Sequence, residues 1–287
     1  MVLLQKEVKN VKKIISFAII ICVLFASVNV FAIDLYGGYP IYADIQINGD
    51  FIKCVQKPIT VNGSTYIPLR AFCDAIGASI SWNHQDQAAT VTKDNHTFIY
   101  YGEKGYSIID GKKTDGAVME NHLLFIPVRA TCEALGYKIE WDNFYYIVKI
   151  TAPNITVPEA NKDFSYNCED ILYLSKITQI ECGSQPFITK LGVANTVVNR
   201  AKSGLFPNTI KGVIFDTKYG TQFPPAHTDK INVTPSSACI LAAKCALNGE
   251  NIVGNSLYFI SKTAAPSSWA HNNRTFFSTI GNMNFYL

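Results

Sequence analysis

The stretch Cys168–Gly183, "CEDILYLSKITQIECG", sets Ile171, Leu174, Ile177 and Ile180 at the three- and four-residue spacing of one helical face. Asn167, with Asp170 three residues on, reads as the cap that opens this helix. At about 100° per residue Glu181 projects between Leu174 and Ile177, so a carboxylate stands where the pattern asks for another aliphatic side chain. A carboxylate held among apolar groups is expected to respond by a raised pKa, the property a general acid needs. The plain alternative is that a glutamate at the last turn, beside Gly183, bends out to solvent or pairs with a lysine.

Downstream, a second helix is expected from about Pro186 through "ITKLGVANTVVNRAKS" to Gly204. A third should open with Thr234 as cap and Pro235 at its first position, and run through "SSACILAAKCAL" to Gly249. "NSLYFISK" and "STIGNMNFYL" close the chain as a small β or irregular part. Three helices around a cleft is the expected shape.

Upstream lies an internal repeat at a constant offset of 59: "TYIPLRAFCDAIGASISWN" from Thr65 and "LFIPVRATCEALGYKIEWD" from Leu124. Each copy reads as a strand, a short helix begun near the proline and closed by Gly77 or Gly136, and a second strand carrying Trp82 or Trp141. Asn-Gly pairs in "ADIQING" and "KPITVNGSTYI" predict hairpins. The expected fold class is α+β: a duplicated α+β unit over residues 40–150, a polar two-proline linker over 151–166, and a mainly α unit over 167–287.

The 287 residues allow about two domains. "MVLLQKEVKNVKK" followed by "IISFAIIICVLFASVNVFA" reads as a signal peptide over residues 1–32, with Val30 and Ala32 before the cut, so the chain is expected to be exported to the wall, spore or medium; an uncleaved anchor is the alternative. Without that segment, which holds four lysines and one glutamate, the formal charge falls from +3 to zero, which argues against a nucleic-acid partner. Seven cysteines then remain, an odd number, with no Cys-x-x-Cys pair for a zinc knuckle; Cys239 and Cys245 fall on opposite sides of one helix. His84, His96 and His122 lack metal-ligand spacing, so no metal and no cofactor are expected.

The repeat resembles the copper amine oxidase N-terminal-like, or stalk, domain of bacterial surface proteins, carried by "YIPLRAF" and the Leu/Ile-Gly, Trp positions that follow. The resemblance implies no metal chemistry and leaves spacing, assembly, or binding of a cell-wall or spore-surface component as its role. "IECGSQPF", "KLGVANTVVNR", "GLFPNTIKGVIFD", "TQF", "NGENIVGNSLYFIS", "SSWA" and "IGNMNFY", in that order, resemble the cell wall hydrolase family that includes the spore-cortex-lytic enzymes.

That resemblance implies a lysozyme-like fold acting on the glycan strands of peptidoglycan as a lytic transglycosylase, with Glu181 as the single catalytic acid and base. Two positions depart from the family pattern: Gln185, where a second glutamate is common, and Met283, where histidine is common. Gln222, Phe223, Tyr258 and Trp269 are candidate substrate-binding residues, because amides suit sugar hydroxyls and aromatic faces suit sugar C–H groups. For Phe223 and Tyr258 ordinary core packing is the competing reading. Asn199 and Arg200 are expected to tie the second helix to its neighbours.

Two rivals follow from the residues. Cys182 beside Glu181, with His227 or His271, invites a cysteine-peptidase reading, weakened by the position of this thiol at a helix C-terminus. No Gly-x-Ser-x-Gly or His-Glu-x-x-His motif is present. The rival of another class is a wall- or coat-binding protein with a degenerate hydrolase unit.

Overall fold

A computed structural model describes residues 35–218, 220–263 and 268–287; the expected signal peptide lies outside the described residues. Among the described residues no helix is long and apolar enough to cross a membrane. The architecture is α+β, with a β-rich N-terminal part and a helical C-terminal part.

In the N-terminal part the repeat offset governs the topology. The hairpins Ile59–Val61/Ser64–Pro68 and Val118–Glu120/Leu123–Pro127 join back to back into one antiparallel sheet, with Ile67 opposite Ile126. The first turn uses Asn62 and Gly63 at φ of 50° and 74°, and the second uses Asn121 and His122 at 47° and 63°. His122 thus holds the left-handed position that glycine fills in the other copy, where a Cβ is disfavoured. The prolines Pro68 and Pro127 lead straight into helices α1 (Leu69–Ile76) and α2 (Val128–Ala134). Gly77, at φ +68°, ends α1 in the left-handed conformation that a residue with a Cβ rarely adopts.

The copies then diverge. After α1, strands Ser79–Asn83, Ala88–Lys93, His96–Tyr101, Tyr106–Ile109 and Lys112–Asp115 form a five-stranded meander. After α2, Lys138–Asp142 and Ile147–Thr151 form the matching hairpin, but the third place beside it is taken by Asp44–Ile47, from the start of the described chain, running parallel to Ile147–Thr151. Pro153 and Pro158 explain the substitution, since neither can donate to a ladder and the chain cannot supply its own next strand. One core, including Ile45, Ile47, Phe72, Phe98, Tyr100 and Ile126, spans both copies.

Residues 151–166, expected as a linker, connect the two parts but are tied down along the way. Ala152, Val157 and Tyr166 are buried. The Lys53 N–H donates to the Asn161 carbonyl and the Asp163 N–H to the Phe51 carbonyl, both at 2.8 Å. Three apolar side chains at irregular spacing leave no period to read.

In the C-terminal part, helix α3 spans Cys168–Cys182, opened by the expected reciprocal cap: the Asp170 N–H donates to Asn167 Oδ1 at 3.0 Å, and the Asn167 N–H to Asp170 Oδ2 at 3.1 Å. Helix α4 (Phe187–Lys202) is the central rod, buried almost continuously from Thr189 to Val198. A Cβ on its Gly192 would lie 2.7 Å from the Phe285 ring, so the close approach of the last strand depends on glycine there. A short α5 (Ile210–Ile214) follows, capped by Thr209. Helix α6 runs Ser237–Leu247 and starts later than the Thr234 cap and Pro235 first position predicted. The Ser236 N–H donates to Gln179 Oε1 on α3 at 3.0 Å, which holds the backbone extended there and postpones the first helical turn.

Helices α3, α4 and α6 pack on one another around Leu174, Ile177, Leu191, Ala194, Val197 and Ala243. A short α7 (Trp269–Asn273) and a three-stranded antiparallel sheet complete the part, with Met283–Tyr286 between Tyr258–Ser261 and Phe276–Ile280. The two parts meet over a buried polar joint. Lys244 of α6, with no exposure, lies 2.7 Å from Asp44 Oδ2 and donates to the carbonyls of Tyr145 and Tyr146 at 2.8 and 2.9 Å. The Tyr166 hydroxyl donates to Asp44 Oδ1 at 2.7 Å.

Candidate functional site

Ile171, Leu174 and Ile177 are fully buried, and Glu181, one turn beyond on the same face of α3, is half-buried. Two influences act on its carboxyl. Burial raises its pKa above the ordinary glutamate value, and the Arg200 guanidinium pulls in the opposite direction without cancelling the rise. The direction is the one expected for a group that keeps a proton at higher pH than a solvated carboxylate.

Arg200 comes from the last turn of α4 and is itself buried. Its Nε–H donates to the Leu257 carbonyl at 2.7 Å. Its guanidinium carbon lies 4.8, 5.2 and 5.6 Å from the ring centroids of Phe206, Phe223 and Tyr258, within cation–π range of all three. Nη1 is buried with no hydrogen-bond partner. Burial lowers the Arg200 pKa to about 10, although Tyr258, Asp216 and Glu181 favour its charge. The neighbouring Asn199 fixes this end of α4 by donating to the carbonyls of Gly254 and Ser256 at 2.8 and 3.0 Å.

The other candidates fall into line beyond Arg200. Tyr258 stands edge-on to Trp269, with ring centroids 5.5 Å apart, and Arg274 lies 4.8 Å from the first ring and 4.6 Å from the second. Trp269 is 55 % exposed, which is unusual for so large an apolar group and leaves its ring available to a partner. Phe223 is only 2 % exposed and packs between Arg200 and Phe259, so it acts as a wall beneath the guanidinium. The Gln222 side chain donates to the Gly220 carbonyl at 3.1 Å and sits on the loop leading to Phe223.

The structure therefore brings Glu181, Arg200, Phe223, Tyr258 and Trp269 into one series of neighbours. Sequence reasoning gave Arg200 a tying role alone, and it left out Phe206 and Arg274. The adjacency of Asn199 and Arg200 was the available signal for Arg200, whereas nothing in "HNNRTFF" marks Arg274.

Gln185 and Met283, the two positions expected to depart from the pattern of the resembled family, have structural settings. Met283 is buried in a small cluster with Cys182, Val193, Val253 and Phe285, directly behind the Glu181 turn. The Gln185 carbonyl accepts a hydrogen bond from the Lys190 ammonium, and its N–H donates to the Cys182 carbonyl at 2.9 Å, so its backbone shapes the turn between α3 and α4.

The cysteine reading finds no support in the geometry. Cys182 is buried, burial pushes its thiol up to about 12, and its Sγ points at the Thr178 carbonyl, 3.3 Å away. His227 packs on Phe215 and His271 on Tyr286. All seven cysteines of the described chain are free thiols. Among the described residues no group of three or more histidine, cysteine, aspartate or glutamate side chains is placed to hold a metal ion.

With this geometry in hand, comparison with known proteins is informative for both parts. Curated relatives include a spore cortex-lytic enzyme of Bacillus cereus, 32 % identical over 104 residues, covering 36 % of this chain and 39 % of the relative. Another, from Oceanobacillus iheyensis, is 30 % identical over 117 residues, covering 41 % of this chain and 40 % of the relative. The chain thus spans about two fifths of the length of the curated relatives it matches. Among solved structures, the catalytic domain of a germination-specific lytic transglycosylase from Bacillus anthracis aligns at 29 % identity and a TM-score of 0.40, covering 44 % of this chain and 99 % of that one. Residues 184–286, which begin just after the Glu181 turn, match the Cell Wall Hydrolase family, and residues 46–118 and 109–161 each match the copper amine oxidase N-terminal domain.

Proposed function

We propose that this chain is an exported peptidoglycan-cleaving enzyme, a lytic transglycosylase in which Glu181 is the single acid and base. The observation that carries the reading is the half-buried Glu181 carboxyl at the end of the apolar face of α3, held toward its protonated form by burial and within electrostatic reach of the Arg200 guanidinium. A protonated Glu181 delivers its proton to the glycosidic oxygen between N-acetylmuramic acid and N-acetylglucosamine as the C1–O bond breaks. The carboxylate then takes the proton of the muramic C6 hydroxyl while that oxygen bonds to C1, closing a 1,6-anhydro ring. Acid and base are one group, the proton account closes, and no water or second carboxylate is consumed, in contrast to two-carboxylate glycosidases.

Tyr258, Trp269 and Gln222 serve as the sugar-binding surface, and Arg200 restrains the rise in the Glu181 pKa. The names of the relatives support spore cortex as the wall concerned. In this reading residues 1–32 direct export, 40–150 form a stalk domain, and 167–287 form the catalytic domain. The test is digestion of isolated vegetative and cortex peptidoglycan by the full chain and by Glu181→Gln, with soluble fragments identified by mass spectrometry. Anhydro-muropeptides from the unaltered chain alone are expected. Reducing-end products would replace the transglycosylase step by hydrolysis, and wall binding without fragments would favour the degenerate, binding-only reading.

A further inference from the structure

The repeat offset of 59 builds two clefts in the N-terminal part, of about 520 and 580 Å³. Arg129, Glu133 and Trp141 line one, and their counterparts Arg70, Asp74 and Trp82 line the other. Trp141 and Trp82 are exposed to the same degree, 40 % and 39 %. A large aromatic ring left half in water at the same place in both copies is a feature that packing alone does not explain.

Each cleft borrows its other wall from the opposite copy, and there they differ. Beside Trp141 stand Thr60, Ser64, Thr65 and Thr114, with Asp115 next to them. Beside Trp82 stand Met119, Leu123, Leu124 and Val55. The framework is shared, but one cleft is lined with hydroxyls and the other with aliphatic groups.

We propose that the Trp141 cleft binds a neutral glycan strand. A sugar ring offers apolar C–H groups on its face and hydroxyls at its rim, which suits an aromatic ring set among hydroxyls and carboxylates. The charges around this cleft largely answer one another: Arg129 lies 3.9 Å from Glu133, and Lys138 lies 2.5 Å from Glu140. A phosphate-rich or strongly basic ligand would find little net field there, whereas a polyol needs none. The aliphatic Trp82 cleft lacks the hydroxyl rim and is not a glycan site.

Naming the strand as peptidoglycan rests on the function proposed above, so binding and cleavage are measured separately. The full chain carrying Glu181→Gln is co-sedimented with insoluble peptidoglycan and titrated with an N-acetylglucosamine tetramer. Adding Trp141→Ala is expected to weaken binding about tenfold, and adding Trp82→Ala to leave it unchanged, with melting temperatures confirming folding. In a chain where Trp141 is the sole tryptophan (Trp82→Phe, Trp269→Phe), the tetramer should shift its fluorescence saturably. Undiminished binding in the folded Trp141→Ala chain, equal losses in both alanine variants, or an unmoved Trp141 spectrum would each overturn the proposal. Trp141-dependent sedimentation with no fragments from the unaltered chain would sink the cleavage reading alone. Fragments with Trp141-independent sedimentation would sink this one alone.

Discussion

Asp44 with Lys244, and Glu181 with Arg200, are two carboxylate–cation pairs removed from bulk water in the same molecule, and they are built on opposite plans. At the first, the ammonium reaches the carboxylate at 2.7 Å, its other donors go to two carbonyls, and Tyr166 occupies the second carboxylate oxygen. At the second, the guanidinium is held by three rings and by the Leu257 carbonyl, leaving it acting on Glu181 from within that cage. The closed pair fixes two parts of the chain against each other. The open pair leaves a carboxyl with a raised pKa. Satisfying a buried charge makes it structural, and withholding a partner leaves chemistry available.

The sharpest way to break the comparison is at the open pair. Glu181→Gln keeps the shape and removes the proton, so fragment release from peptidoglycan should fall by about 10³-fold or more. Its stability should equal or exceed that of the parent at neutral pH. A carboxyl whose folded pKa is raised stabilises the fold most below its unfolded value, and that contribution is lost as pH climbs toward the folded one. A glutamine does not titrate and escapes that loss. Unfolding by urea at two pH values checks the sign.

At the closed pair the effects reverse. Lys244→Ala leaves Asp44 with only the more distant Lys57 ammonium, at 3.9 Å and shared with Asp163, and should cost about 3 kcal/mol of stability by denaturant unfolding. The double change Asp44→Asn with Lys244→Met should cost distinctly less, because no lone charge remains. Equal losses in the single and double variants would remove the pair from its structural role.

A smaller effect concerns pH. Activity should decline on the alkaline side through a carboxyl pKa above the ordinary glutamate value, since the proton must be present to be delivered. Arg200→Gln removes the attraction that restrains this pKa, so the alkaline limb should move to higher pH even where turnover falls. A limb that stays in place would separate Arg200 from Glu181. The smallest expected change is Trp269→Ala, about tenfold or less in apparent affinity for the glycan with little change at saturation.

Much of this could be read from residue order. The face formed by Ile171, Leu174 and Ile177 and its intruding Glu181 followed from helical spacing, and the offset of 59 foretold strand, helix and turn in both copies. What escaped reading depends on residues far apart in the chain. The late start of α6 comes from a side chain on α3, and the filling of the second sheet by Asp44–Ile47 depends on an edge about a hundred residues later. The position of Arg200 among three rings draws on residues from four separate segments. Local periodicity reports which face is apolar; it is silent on which distant group will meet it.

The strand Asp44–Ile47 also orders events in time. It stands near the start of the described chain, yet its ladder partner is Ile147–Thr151 and the counter-ion of its first residue is Lys244. A ribosome makes chains from the N-terminus, so this strand can pair at once with its hairpin neighbour Asp50–Phe51, but its other edge must wait while about a hundred residues are synthesised, and its charge must wait for about a hundred more. Closure of so distant a contact is slow compared with hairpins that form between neighbours. The Asp44–Lys244 contact can form only after both repeat copies and most of the helical part have been synthesised, which makes it a late-forming link between the first strands and the last long helix of the described chain.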